Sequence, residues 1–232
     1  GLGDVYKRQV LGVFGFAVNH PFLHTGIDSA AQQSWIFTGQ LDAARQPWIL
    51  EHRVADIPAG AGTMTAEMIL SIGERIGCQR LDDLFLHAIL PLDEFIPTTI
   101  QLHVSPPEAG GGRTVEAYFH QSSAPEQYGY QMAPWKRYAT CRLVPDETSS
   151  PEWQDFHNDN WPPNNAKPVD FTPIYEHLAA QGVILGSAFQ RLINVWEHED
   201  GLYIEATSSE SHVELGEDFI LHPALLDAGM QA

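Results

Sequence analysis

The sequence is short of basic side chains and of long apolar runs, and each shortage excludes a class of protein. Its 232 residues include 12 basic and 30 acidic side chains, for a formal net charge of −18. A surface this acidic repels phosphate groups, which argues against nucleic acids and anionic membranes as partners. No apolar run approaches the ~20 residues that span a bilayer, and no secretory signal is recognisable. We therefore expect a cytoplasmic protein.

Cysteine is also scarce, with only Cys78 and Cys141 in the chain and no Cys-x-x-Cys pair. Zinc sites and thiol-redox motifs need such pairs, so neither is predicted. Cys78 follows a predicted helix and Cys141 lies in a predicted strand. Both are expected to be buried thiols in a reducing compartment.

The first half of the chain has the pattern of antiparallel strands around one long helix. The helix is predicted to begin at Gly62 and to end at a Gly77 C-cap. Its apolar stripe consists of Met64, Met68, Ile72 and Ile76, widened by Ile69 and Leu70. Strands are predicted at 34–42, 47–54, 84–90, 98–104, 114–120 and 137–144. A loop containing glycine and proline is predicted at 55–61.

The second half repeats this pattern after a proline-rich stretch. A short helix is predicted at 173–181, a hairpin from strands 189–196 and 202–207, and a further helix after His222-Pro223. Strands followed by one helix, twice, predict two similar units in tandem. The predicted boundaries are an N-terminal segment at 1–18, a first unit at 19–147, a linker at 148–172 and a second unit at 173–232.

Both ends of the chain carry expectations of their own. Residues 4–9 read DVYKRQ, which resembles a translated library adapter, so 1–9 are expected to be an assembly artefact. The other end, Ala232, comes a few residues into the last predicted helix, without a C-cap. We expect a C-terminally truncated second unit, lacking the strands that should follow its helix.

Two ionisable side chains are candidates for chemistry. His52 lies next to the glycine- and proline-containing loop, where a lone histidine most often has a structural role. Asp227 occurs in the apolar helix segment ALLDAGM, where a charge is expensive to bury unless it is paired or protonated. Gln231 follows at i+4 on the same face. His52 and Asp56 are also spaced i, i+4, but they flank a loop, so no metal site is predicted.

These residues fall within four motifs that resemble those of polyketide synthase and fatty acid synthase dehydratases. Residues 52–61 resemble the HxxxGxxxxP signature, and residues 222–231 match HPxxxDxxxQ at every fixed position. Residues 185–192 (LGSAFQRL) resemble YGPxFQGL, and His20-Pro21 resembles the opening of the domain. The four motifs occur in the order and at the spacing found in the family.

The resemblance implies an α+β double hotdog, in which two curved antiparallel sheets each wrap around a central helix, with the second hotdog incomplete. It implies that His52 accepts the α-proton of a 3-hydroxyacyl thioester and that Asp227 protonates the departing hydroxyl, giving a trans-2-enoyl thioester. The residues expected to bind or orient the substrate are Gln231, Asp56, Gly62, Leu185 and Phe189.

The resemblance also implies what the protein binds. No metal or bound cofactor is expected, because the substrate is carried on the phosphopantetheine arm of an acyl carrier protein. Neighbouring synthase domains in the same polypeptide and a second copy in a homodimer are the other expected partners.

The chain departs from the family motifs at several positions. Asp56 replaces the motif glycine and Ala61 the motif proline, while the third motif carries Leu185 for tyrosine, Ser187 for proline and Arg191 for glycine. A carboxylate at position 56 would oppose enolate formation if it pointed inward, although it could face solvent instead.

These departures leave alternatives open. Loss of the motif glycine and proline also resembles pyran-forming cyclases, which often lack the aspartate that is retained here as Asp227. A non-catalytic structural dehydratase-like domain is the third hypothesis. A dehydratase remains the first, because both His52 and Asp227 are present.

Overall fold

The fold is taken from a computed structural model that describes residues 15–30, 32–121, 134–146, 161–208 and 218–231. The strands are β1 (Phe16–Ala17), β2 (Leu23–Ser29), β3 (Ser34–Leu41), β4 (His52–Val54), β5 (Ile57–Pro58), β6 (Arg80–Leu86), β7 (Thr98–Val104), β8 (Arg113–His120), β9 (Lys136–Val144), β10 (Lys167–Pro168), β11 (Val183–Leu185), β12 (Leu192–His198) and β13 (Gly201–Ala206). The helices are α1 (Gly62–Ile76), α2 (Ile174–Ala180) and α3 (Pro223–Ala228). The expected artefact at 1–9 and residues 148–160 of the predicted linker lie outside the described residues.

The first unit is a seven-stranded antiparallel sheet, in the order β1-β2-β3-β7-β8-β9-β6, wrapped around α1. Burial alternates along β7, where Ile100, Leu102 and Val104 face the core, because successive side chains of a strand point to opposite faces. The matching stripe on α1 includes the fully buried Met64 and Met68. The sheet therefore closes on the apolar face of the helix, as the sequence predicts.

Helix α1 begins and ends where the sequence predicts. Its C-cap Gly77 has a φ of 71° and donates its N–H to the carbonyls of Gly73 and Glu74. Glycine is suited to this position because it adopts the left-handed conformation without a steric penalty from Cβ.

The second unit is a three-stranded sheet, in the order β10-β12-β13, with α3 packed against it. Leu192 and Val195 of β12 form a small core with Ala228 of α3. The predicted hairpin is confirmed by the pairing of β12 with β13. Two residues of the predicted linker, Lys167 and Pro168, pair with the edge of β12.

A small sheet, β11-β4-β5, joins the two units through main-chain hydrogen bonds. Strand β11 of the second half pairs antiparallel with β4 of the first, and this pairing places Leu185 opposite His52. The carboxylate of Glu51 strengthens the junction by accepting the backbone N–H of Ala188 at 2.8 Å. A Cβ on Gly186 would lie 2.5 Å from Glu51 Oε2, so only glycine allows this approach.

The strand predicted at 47–54 is wrong in its first part. Pro47–Glu51 is a 3₁₀ helix that buries Trp48 and Ile49, and His52 begins the strand rather than ending it. Proline favours this outcome, because its fixed φ and missing N–H suit the first turn of a helix.

The strand predicted at 84–90 is shifted. The observed β6 runs from Arg80 to Leu86, with a bulge at 83–84 where Asp83 has a φ of 53°. The first residues of β6 include several charged side chains, so they lack the apolar pattern by which strands are predicted. A sheet tolerates such residues in an edge strand, which is what β6 is.

Both cysteines are buried, as predicted. Burial raises the pKa of the Cys78 thiol and raises that of Cys141 to about 12. Both side chains are therefore neutral thiols in the core. None of the helices in the described ranges is long and apolar enough to cross a membrane.

Candidate active site

His52 is held at the start of β4 in one tautomer. Its Nδ1 lies 2.9 Å from the carbonyl oxygen of Ala59, at the far end of the β4–β5 hairpin. A carbonyl can only accept, so Nδ1 carries the proton and Nε2 keeps its lone pair. The ring is half-buried and its orientation is fixed, which is the geometry that a general base requires.

A pocket of about 430 Å³ opens beside His52. Most of its wall is apolar, and its lining consists of His52, Val54, Ala59, Gly60, Gly62, Thr65, residues 86–90 and Tyr138. Gly62 lies in this wall, where a Cβ would be 3.0 Å from Leu86 Cδ1. The pocket suits an uncharged acyl chain better than a charged ligand.

Asp227 lies on α3 and is held by two side chains. Its Oδ2 accepts a hydrogen bond from Gln231 Nε2 at 2.8 Å, and its Oδ1 accepts from Thr63 Oγ1 at 3.3 Å. Gln231 is one helical turn further along the chain, whereas Thr63 belongs to the first turn of α1. The half-buried carboxyl therefore sits where the helices of the two units meet.

Phe189 connects the surroundings of Asp227 to those of His52. Its carbonyl oxygen accepts a second hydrogen bond from Gln231 Nε2 at 3.0 Å, and its ring centroid is 5.4 Å from that of His52. Phe189 is fully buried, so this connection is rigid. Leu185, four residues earlier and opposite His52 in the small sheet, packs in the same core.

Five of the predicted site residues form one cluster at the junction of the units: His52, Leu185, Phe189, Asp227 and Gln231. Gly62 lies in the wall of the adjoining pocket. The exception is Asp56, which is exposed in the turn between β4 and β5. The structure does not bring its side chain to the cluster. No group of three or more metal-binding side chains occurs in the described part of the chain.

Comparison with known proteins gives the same family at both ends of the chain. The family model for the polyketide synthase dehydratase domain matches residues 20–120, and that for the polyketide synthase dehydratase N-terminal domain matches residues 154–232. The chain belongs to the polyketide synthase dehydratase family. The double hotdog is accordingly its fold, with the second hotdog partly represented in the described residues.

Individual relatives of this chain agree with the assignment to the family. The chain is 35% identical to polyketide synthase GfsE of Streptomyces halstedii over 92% of its length, which corresponds to 5% of that protein. The chain thus spans only a small part of the curated synthases that it matches. A solved dehydratase structure from work on the borrelidin and fluvirucin synthases is 29% identical, with a TM-score of 0.84 over 97% of this chain and 76% of that one.

A bifunctional dehydratase-cyclase is also similar to this chain. The dehydratase-cyclase domain of ambruticin biosynthesis is 28% identical, with a TM-score of 0.79 over 91% of this chain and 70% of that one. Dehydration and ring closure are therefore both represented among structures with the same fold.

The structure explains two departures of this chain from the family motif. Asp56 and Ala55 form the two-residue turn of the β4–β5 hairpin, with φ values of 66° and 48°. This turn favours glycine, and aspartate is among the residues that tolerate it best. Ala61 has a φ of −60°, close to the value at which a proline ring is fixed. Both positions therefore have backbone conformations that glycine and proline, respectively, adopt readily.

Replacing Asp56 with glycine should stabilise the protein and leave any dehydratase activity unchanged. The left-handed conformation strains aspartate but not glycine, so we expect about 1 kcal/mol in the free energy of unfolding. Because the side chain is exposed, kcat should change less than twofold. Denaturant unfolding and steady-state kinetics check both values. A kcat that rises tenfold would show that the Asp56 carboxylate does act on the reaction.

Several residues of the site were not predicted from the sequence. Thr63 reads as an ordinary helix residue, yet it contacts Asp227. Tyr138 has the pattern of a core strand residue, but it lies in the pocket wall, where burial raises the pKa of its hydroxyl to about 12. The hydroxyl therefore stays protonated. Only their positions after folding reveal these roles.

His222 of the HPxxxDxxxQ motif has a structural role that the sequence also did not predict. Its Nδ1 accepts the backbone N–H of Ala224, so it is the N-cap of α3. Its ring packs 4.5 Å from Trp48, and burial, aided by the Arg191 charge, lowers its pKa to about 4. The imidazole is therefore neutral near pH 7, which keeps Nδ1 free to accept this bond.

Proposed function

We propose that this chain is the dehydratase domain of a modular polyketide synthase, which eliminates water from a 3-hydroxyacyl thioester carried on an acyl carrier protein. The observation that supports the proposal most is the connection from His52 through Phe189 and Gln231 to Asp227. In this proposal, an imidazole of the first hotdog and a carboxyl of the second share one site. The division into hotdogs at 19–147 and 173–232, with a linker at 148–172, is part of this proposal.

His52 acts as the base in the proposed reaction. Its Nε2 accepts the α-proton at C2 of the thioester, while the Ala59 carbonyl stabilises the imidazolium that forms. Negative charge develops on the thioester oxygen as this proton leaves. The first turn of α1, which begins at Gly62 in the pocket wall, offers backbone N–H groups and the positive end of the helix dipole to that oxygen.

Asp227 acts as the acid in the same reaction. The bond between C3 and the hydroxyl oxygen breaks, and the oxygen leaves as water after taking the carboxyl proton. Gln231 fixes Oδ2 with a short hydrogen bond, whereas Oδ1 has only the longer contact with Thr63. Oδ1 is therefore the oxygen assigned to carry the proton. Afterwards His52 is protonated and Asp227 is ionised, so transfer of one proton between them through water restores the starting state.

The surroundings proposed for this reaction follow from the family. The substrate reaches the pocket on a phosphopantetheine arm. The elimination is not a redox reaction, so it needs no redox cofactor, and membership of the family implies no metal. An acyl carrier protein, neighbouring synthase domains and a second copy of the synthase are the proposed partners. The proposed location is the cytoplasm.

A second candidate function is closure of a pyran ring by addition of a hydroxyl to an enoyl thioester. The similarity to the bifunctional dehydratase-cyclase favours it. The same His52 could deprotonate the attacking hydroxyl. A domain that folds but catalyses neither reaction is the remaining alternative.

Product analysis separates these functions. The full-length protein is offered a 3-hydroxyacyl pantetheine thioester, and separately an enoyl thioester that carries a distal hydroxyl. We expect the first to lose one water and give a trans-2-enoyl product, detected by mass spectrometry and NMR. Cyclic ether from the second substrate alone would favour the cyclase, and a folded protein without product from either would exclude both reactions.

A further inference from the structure

Glu67 is a buried carboxylate that the proposed reaction does not use. It lies on α1, one turn after Thr63, and is only 1% exposed. A carboxylate is expensive to remove from water unless its oxygens are hydrogen-bonded, so its partners indicate what it is for.

The first partner of Glu67 is His20, at the start of the first hotdog. His20 Nε2 lies 2.7 Å from Glu67 Oε2, and both side chains are 2% exposed. The other ring nitrogen, Nδ1, accepts the backbone N–H groups of Phe22 and Leu23. Because Nδ1 is an acceptor, Nε2 must carry a proton and donate it to Glu67.

The second partner of Glu67 belongs to the other half of the chain. Its Oε1 accepts the backbone N–H of Ile220 at 3.0 Å. Ile220 stands two residues before His222, the N-cap of α3. The neighbouring Phe219 packs its ring against those of His20 and Phe22, with centroids 5.6 Å and 5.3 Å apart. Glu67 thus ties the segment that leads into α3 to the first hotdog.

Two contacts from one face of α1 therefore fix α3. Glu67 holds the chain just before α3, and Thr63, four residues earlier on the same face, contacts Asp227 within it. We propose that Glu67 is a positioning residue that sets the location of Asp227 relative to the pocket beside His52. The proposal rests on the proposed function only in so far as Asp227 is the acid.

The geometry requires a carboxylate at position 67. His20 Nε2–H and the Ile220 N–H are both donors, and they approach different oxygens. A glutamine has one accepting oxygen, so its NH₂ group would face a donor. Glu67→Gln consequently removes one of the two contacts while keeping the size of the side chain.

The test compares two variants with two matched controls in the full-length protein. Glu67→Gln removes one acceptor, and Ile220→Pro removes the N–H that Glu67 accepts. Glu74→Gln alters an exposed glutamate of the same helix, and Ile220→Ala keeps the N–H while trimming a side chain that is 69% exposed. We expect about a tenfold lower kcat with unchanged KM in the first two variants, and wild-type kinetics in the two controls.

A double-mutant cycle tests whether Glu67 acts through Asp227. In an Asp227→Asn background, Glu67→Gln should lower the residual kcat less than twofold. An equal loss in both backgrounds would overturn the positioning role, as would unchanged kcat in both Glu67→Gln and Ile220→Pro.

Hydrogen exchange separates this proposal from the proposed function. The backbone amides of Leu225 and Leu226 in α3 should exchange faster in Glu67→Gln and Ile220→Pro than in the two controls. This readout needs no turnover, so a wild-type protein without dehydratase activity would refute the proposed function and still leave the positioning of α3 testable. Unchanged exchange would refute the positioning itself. If Glu67→Gln does not fold, the comparison of Ile220→Pro with Ile220→Ala decides.

Discussion

Replacing His52 with alanine should lower kcat for water elimination by about 10³-fold and leave KM nearly unchanged. General-base catalysis contributes about 10²–10⁴-fold to such reactions, and nothing else described in the pocket lining offers an imidazole whose Nε2 has no hydrogen-bond partner in the described structure. Neighbouring His87 also lines the pocket, but its Nε2 is hydrogen-bonded to Thr140. Release of enoyl product, followed by ultraviolet absorbance, measures kcat.

The matched control for this variant is His24→Ala. His24 is an exposed histidine on β2, and it lies outside the lining of the pocket. Its replacement should leave kcat within twofold of the wild-type value. If His52→Ala retained more than a tenth of wild-type activity while folding normally, the assignment of His52 as the base would be wrong.

Asp227→Asn should also lower kcat, by about 10²-fold or more. Asparagine has the same shape and can still accept the hydrogen bond from Gln231 Nε2, so α3 should keep its position. It has no acidic proton to give to the leaving hydroxyl. The loss should therefore appear in kcat rather than in KM or in the free energy of unfolding.

Two further measurements make this prediction specific. Asp28→Asn, an exposed aspartate on β2, should have wild-type kinetics. A substrate whose 3-hydroxyl is replaced by a better leaving group, such as acetate, should react with Asp227→Asn at close to the wild-type rate, because acetate needs no acid to depart. If the variant were equally slow with this substrate, Asp227 would act by another route.

Much of the fold could be predicted from the sequence because its signals are local. The stripe of methionine and isoleucine along α1, its Gly77 cap and the alternation in β7 and β8 each follow from a short run of residues. The sequence does not distinguish the 3₁₀ helix at Pro47–Glu51 from a strand. A run as short as PWILE fits the hydrophobic pattern of a strand as well as that of a helix.

The site could be predicted only in part. Only the resemblance predicts that the motif residues come together: His52, Phe189, Asp227 and Gln231. His52 and Asp227 are 175 positions apart, so no local pattern can show that they are close in the fold. Thr63 and Glu67 gave no such signal. Their roles depend on how α1 meets α3, and this packing is set by contacts between distant parts of the chain.

Asp56 illustrates a different limit of prediction from sequence: here the sequence gives a signal, but that signal has two readings. Its charge at a motif glycine predicts a catalytic defect if the side chain points inward. The structure shows instead an exposed side chain on a hairpin turn, with the positive φ that glycine favours. The pattern of residues alone does not distinguish a conformational requirement from a chemical one.

The most direct test is a crystal structure of the Asp227→Asn protein with an unreactive amide analogue of a 3-hydroxyacyl pantetheine thioester. The account predicts that C2 of the bound analogue lies within about 3.5 Å of His52 Nε2 and that its 3-hydroxyl lies within hydrogen-bond distance of residue 227. An analogue that binds with C2 away from the imidazole, or with its hydroxyl on the side remote from α3, would contradict a shared site for the two groups.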